Sequence, residues 1–191
     1  MDELRVVAIH AVADLGPAFI EVRGSLVLRQ ARRLSDYLNH PDPMLELDGG
    51  GMRFPTSKGW DDWEEVEGLS LNRNRVVIAL PVDEVDPGPD PTLLVPARQV
   101  RVKLVCQGLQ VTGFATVPLQ ATISSFIHES NARFLAVKNA RLTPTVRGYV
   151  PENLDTIHGF CVVNREHIVA CVETRPVMQQ SPARSASQET D

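Results

Sequence analysis

The chain has 191 residues, 43% of them apolar and 23% charged, which is ordinary globular composition and enough for one medium core or two small ones. A net charge of -5 has the wrong sign for a generic polyanion binder, so nucleic acid is not an expected partner. The opening MDELRVVAIH lacks the basic region and long apolar run of a secretory signal, and no apolar stretch is long enough for a spanning helix, so the expected location is the cytoplasm.

Taken in chain order, RVVAIHA near the start alternates like a half-buried strand. FIEVRGSLVL follows as a second strand with Gly24 inside it, and a glycine within a strand suggests a bulge or a close backbone approach. Ala31, Leu34, Tyr37 and Leu38 then form one apolar stripe of a short helix that stops at Asn39-His40-Pro41, because a residue before proline disfavours helical angles. A short strand, MLEL, leads into DGGGM (Asp48 to Met52), which reads better as a flexible turn than as a phosphate cradle, since no helix start follows it. LNRNRVVIAL then closes the segment as a hairpin built around Asn72-Arg73.

The same pattern recurs after residue 97. With Gly24 laid on Gly113, Leu34, Ser35, Tyr37 and Leu38 fall on Ile123, Ser124, Phe126 and Ile127. Asn72-Arg73 then matches Asn164-Arg165 within VNREHIVACV. The second helix stripe is Leu119, Ile123, Phe126 and Ile127, with Pro118 suited to a first helical turn. At two to three turns neither helix would persist alone in water, so each must be held on its sheet. The expected fold is α+β, mainly β: two tandem β-β-α-β-β-β units, residues 1–80 and 98–175, each a small curled sheet or partial barrel covered by one helix. PVDEVDPGPDPTLLVPA (residues 81–97), with five prolines and four acids, reads as a stiff linker, and residues 176–191 as a disordered tail.

An RLSDYLN helix (Arg33 to Asn39), FLAVKNARL and FCVVNREHIV together resemble a family of small bacterial domains of unknown function, here in two tandem copies. The second helix departs from that motif, with Thr122-Ile123-Ser124-Ser125 where Arg-Leu-Ser-Asp would stand. The resemblance implies the architecture and carries no activity.

Chemistry is harder to find. His158, Cys161, His167 and Cys171 are the residue types zinc prefers, but both cysteines fall in strand positions that burial explains, so neither a metal site nor a Cys161/His167 catalytic pair is expected. With three cysteines and no C-x-x-C spacing, a disulfide framework is not expected either. There is no G-x-S-x-G elbow, Walker loop or H-E-x-x-H, so the chain reads as a non-enzyme with no cofactor.

Arg32, Arg33, Arg73 and Arg75 are candidates for gripping a small anion such as a nucleotide second messenger, against the plainer reading of a solvated helix face and a polar turn tip. The preferred contact is GWDDWEEVEG, which sets Trp60 and Trp63 among Asp61, Asp62, Glu64 and Glu65. Tryptophan is a frequent interface anchor, yet both rings could instead fold back over the first unit. Residues 1–80 carry 9 basic and 13 acidic side chains, residues 98–175 carry 9 and 5. One end is acidic and the other basic, which favours an interaction or assembly role with another protein or a second copy.

Overall fold

The computed structural model describes residues 5–16, 18–28, 33–82, 96–145 and 157–174. Arg32, the expected tail and all but the ends of the expected linker lie outside them. The first half of the chain forms β1 (Arg5–Asp14), β2 (Phe19–Leu28), α1 (Leu34–Leu38), β3 (Met44–Arg53), β4 (Pro55–Thr56), β5 (Gly59–Trp60), β6 (Glu64–Glu65), β7 (Gly68–Asn72) and β8 (Val76–Pro81). The second forms β9 (Ala97–Cys106), β10 (Leu109–Pro118), α2 (Ile123–Glu129), β11 (Phe134–Pro144), β12 (Ile157–Asn164) and β13 (Ile168–Glu173). The molecule is thus mainly β, with two helices among the described residues, neither long and apolar enough to cross a membrane.

One antiparallel sheet runs β13-β9-β10-β11-β12-β8-β1-β2-β3, with β6 and β7 both paired to β3; β4 and β5 form a separate small ribbon. In the first half the order is β8-β1-β2-β3-β7, so β7 and β8 stand at opposite ends of five strands. Only Arg73–Arg75, one 3-10 turn, joins them. The four Cα steps from Asn72 to Val76 reach at most about 14 Å, whereas four flat strand spacings would need about 19 Å. The five strands must therefore curl until their ends meet. The second half repeats this arrangement as β13-β9-β10-β11-β12, joined across the gap by Arg165–His167.

This overturns the hairpin expected around each Asn-Arg pair. Asn72 and Asn164 each accept from the backbone two residues on, Asn74 N at 2.9 Å and Glu166 N at 3.0 Å, capping a 3-10 corner that carries the chain to the far edge of its curled sheet. The arginine then reaches back. Arg73 donates to the Tyr37 and His40 carbonyls at 2.7 and 3.0 Å, at the end of α1, and Arg165 donates to the Ser130 carbonyl at the end of α2. The shared dipeptide ties each corner to its helix.

The shared glycine behaves as its position suggested. Gly24 of β2 lies opposite Gly49 and Gly50, between the pairs Arg23–Gly51 and Ser25–Asp48, and Gly113 of β10 lies opposite Asn139 and Ala140. Each is one residue facing two, a bulge. DGGGM is accordingly no turn: it is the bulged middle of β3, where Gly50 (φ +115°) passes so close to β2 that a Cβ would lie 2.2 Å from the Arg23 carbonyl oxygen. Pro118 is likewise no helix start. It ends β10, and α2 begins at Ile123, after the N-cap Thr122, which trades hydrogen bonds with Ser125 as a capping box.

Where the halves meet, β12 pairs with β8 (Val163 with Ile78, Val162 with Ala79). Ile78 and Leu80 of β8 join Cys161 and Val163 of β12 in the second half's core, while Ala79 joins Phe160 and Val162 in the first half's core. Both strands are buried on both faces, which is why VVIAL and FCVV are unbroken apolar runs. α1 covers the first core with Leu34 and Leu38 and also packs on β11.

Candidate functional site

The acidic loop is held down by its tryptophans. Trp63 has two guanidiniums over its ring, Arg23 4.3 Å and Arg53 4.8 Å from its ring centre, and the His10 ring lies 6.0 Å away. Arg53 also sits 5.5 Å from the Trp60 ring, which packs against the second core. Both indoles are half-buried: Trp63 lies against Arg23 and Arg53 of the first half, whereas Trp60 packs on the second core and not over the first. Asp61, Asp62, Glu64 and Glu65 remain exposed on the loop they anchor.

Beneath the loop lies Glu21, fully buried in β2 and paired with His10 of β1 and Arg53 of β3. Burial by itself would raise the Glu21 carboxyl, but hydrogen bonds and charge from His10 and Arg53 more than offset it, and the group lies below its usual range. Arg23 pairs in turn with Glu65 on the loop. The His10–Glu21–Arg53 cluster and the Arg23–Glu65 pair meet at the Trp63 ring, and together they fix how the acidic loop is presented. Glu21 gave no sign of this in the sequence beyond being a charge inside an apolar strand.

Arg32 lies outside the described residues, and the other three arginines sit in different settings. Arg73 is 2% exposed, with its donors on helix-end and strand carbonyls and its guanidinium 5.1 Å from the Tyr37 ring. Burial lowers its pKa. Arg75 is exposed at the 3-10 corner, and Arg33 is half-buried ahead of α1. His158, Cys161, His167 and Cys171 are also kept apart as chemistry: among the described residues no group of three His, Cys, Asp or Glu side chains could hold a metal ion. Cys161 is completely buried with its thiol pushed far up by desolvation, and Cys106 is pushed up to about 12. His167 sets its Nε2 2.8 Å from the Asn74 carbonyl and its Nδ1 4.0 Å from Asp14.

A second charged surface was not singled out in the sequence. Strands β9 to β12 contain no Asp or Glu, and β9 and β11 carry Arg98, Arg101, Lys103, Lys138 and Arg141. Registry aligns all of them but Arg98, which lies opposite the buried Val117, in rows on the side away from the second core. Arg101 lies opposite Phe114, which lies opposite Lys138; Lys103 lies opposite Thr112, which lies opposite Arg141. Phe114 is 38% exposed between its two cations. The signal was present in RVKLV, where cations fill two of the three positions the core leaves out.

No protein-family model matches the chain, and no curated protein or solved structure matches it.

Proposed function

We propose that this chain is a non-enzymatic interaction module, built from a duplicated β-β-α-β-β-β unit, that assembles with a second copy of itself through opposite charges. The carboxylates Asp61, Asp62, Glu64 and Glu65 of one copy meet the face bearing Arg101, Lys103, Lys138 and Arg141 of another. The observation that carries this reading is the segregation of charge: four exposed acids on an anchored loop in one half, and four consecutive strands without a single acid in the other. Anchoring matters because a loop already held by Arg23 and Arg53 loses little freedom on docking. Duplication is supported by the repeated strand order, the matching bulges at Gly24 and Gly113, and the two Asn-Arg corners.

Native mass spectrometry and sedimentation of the full chain test it. Multiples of 21.1 kDa should form at low salt and dissociate as salt rises. Asp61→Lys/Asp62→Lys and Lys103→Glu/Arg141→Glu should each stay monomeric alone and associate when mixed. A wild-type chain that stays monomeric at low salt, or a mixture that does not associate, defeats the reading.

A further inference from the structure

Away from the acidic loop, on the outward side of the second half's sheet, the two helices wall a cavity of about 610 Å3. Its floor is made by β9, β10, β11 and β12: Gln99 lies opposite Thr116, Ala136 follows on β11, and Lys138 lies opposite Phe160. α1 brings Arg33 and Ser35 from the first half, α2 brings Phe126, and the 3-10 turn after β12 brings Arg165. The site is composite. α1 is joined to β11 by Asn39, whose side-chain amide bonds both the N–H and the C=O of Phe134.

The lining has a consistent chemistry. Arg33, Arg98, Lys138 and Arg165 contribute cations, and among the described residues no Asp or Glu lines the cavity. Arg98 is compensated by Glu173 at 2.9 Å, so the cations that bear on a ligand are Arg33 and Arg165. Arg165 uses one nitrogen on the Ser130 carbonyl, and a guanidinium has further donors to offer. Two guanidiniums suit a phosphate, which they can grip bidentately. The remaining surface is mostly apolar, with Phe126, Ile127, Phe134, Leu135 and Phe160 prominent.

Shape narrows the ligand further. From Phe134 to Lys138 is four residues along β11, about 13 Å, and from β9 to β12 is three strand spacings, about 14 Å. The floor is as wide as it is long, which accommodates a flat ring system rather than a single extended acyl chain. Gln99, Thr116 and Ser35 stand among the apolar groups, able to hydrogen-bond ring edges or sugar hydroxyls. The volume falls within the ~300–1,000 Å3 typical of small-molecule sites. We infer that this cavity binds a nucleoside phosphate, with the phosphate held by Arg33 and Arg165 and the base laid over the apolar floor beside Phe126.

The test is calorimetric titration of the full chain with AMP, GMP, CMP and UMP separately, with adenosine, inorganic phosphate and oleate as comparison probes. At least one nucleotide should bind in the micromolar range, at least about tenfold tighter than adenosine or phosphate alone. Arg33→Ala/Arg165→Ala should weaken that binding by about tenfold or more. Ala136→Trp, which fills the floor, and Ser35→Trp, which fills it from the helix side, should abolish it, each checked for an unchanged thermal transition. Four results overturn the inference: no binding of any nucleotide, binding that survives in a folded tryptophan variant, phosphate or adenosine binding as tightly as the nucleotide, or oleate binding in its place. Lys138 belongs to both the cavity and the charged face, but the positions varied to test self-association, Asp61, Asp62, Lys103 and Arg141, do not line the cavity, so the two readings fail separately.

Discussion

Asn39 at the end of α1 and Phe134 at the start of β11, 95 residues apart, exchange two hydrogen bonds: Phe134 N donates to Asn39 Oδ1 at 2.7 Å, and Asn39 Nδ2 donates to the Phe134 carbonyl at 3.2 Å. A side-chain amide thus occupies the place of a neighbouring strand and clips the first half's helix to the second half's sheet. Asn39→Ala leaves both backbone groups without these partners and should cost about 3 kcal/mol by urea denaturation. Asn39→Asp keeps the acceptor and loses the donor, so it should fall between the two. Equal stability of all three proteins would show that the clip contributes nothing.

Glu21 predicts a pH dependence. Its carboxyl is lowered in the folded chain from the usual 4.5, so the stability it contributes is present above that value and is lost as pH falls through the lowered folded value. Glu21→Gln should destabilise the protein at about pH 7 by about 3 kcal/mol, because Arg53 and His10 lose their buried counter-charge. Its stability should also fall less steeply than that of the wild type on acidification. Parallel stability curves for the two proteins below the usual carboxylate range would contradict the assignment.

The two neighbouring glycines of the β3 bulge should respond differently to the same change. Gly50 combines φ +115° with a Cβ position 2.2 Å from a backbone oxygen, so Gly50→Ala should cost more than about 4 kcal/mol or prevent folding. Gly49 has φ +60° and open space around its Cβ position, so Gly49→Ala should cost only about 1–2 kcal/mol. Soluble expression and thermal midpoints distinguish them.

Thiol reactivity should rank by burial. Cys171 in β13 is half-buried, whereas Cys106 and Cys161 are buried with raised pKa values. Alkylation of the native protein, mapped by peptide mass spectrometry, should label Cys171 first and the other two only on global unfolding. Early labelling of Cys161 would argue against its place in the core.

Much of this architecture is legible in the letters, because local physics dictates it. Alternation in RVKLV marks a half-buried strand, and the glycines at 24 and 113 mark places where a side chain would collide with the neighbouring strand. Two helices too short to stand alone had to be held by packing, and Leu34, Leu38, Ile123 and Ile127 are buried accordingly. The candidate site was legible only in part. Trp60, Trp63 and the acids around them were visible as a cluster, but nothing local placed Arg23 and Arg53 against the rings.

Period two says which side chains share a face and is silent about which strand lies alongside. VVIAL and FCVV read equally well as arms of hairpins or as strands serving two cores, and only the long-range pairing of β8 with β12 decides between them. The same holds for charge. Arg73 looks like a solvated turn residue until the curl of the sheet brings helix-end carbonyls to it, and Glu21 looks misplaced until His10 and Arg53 arrive from the strands on either side. By itself the sequence marked most of the strands, the bulge glycines and the two Asn-Arg turns, since neighbours along the chain set those conformations, but not that each turn leads to the far edge of a curled sheet. Tertiary structure alone decided which charges are buried, which are gathered on one surface and where a cavity remains, because these depend on contacts between residues tens of positions apart.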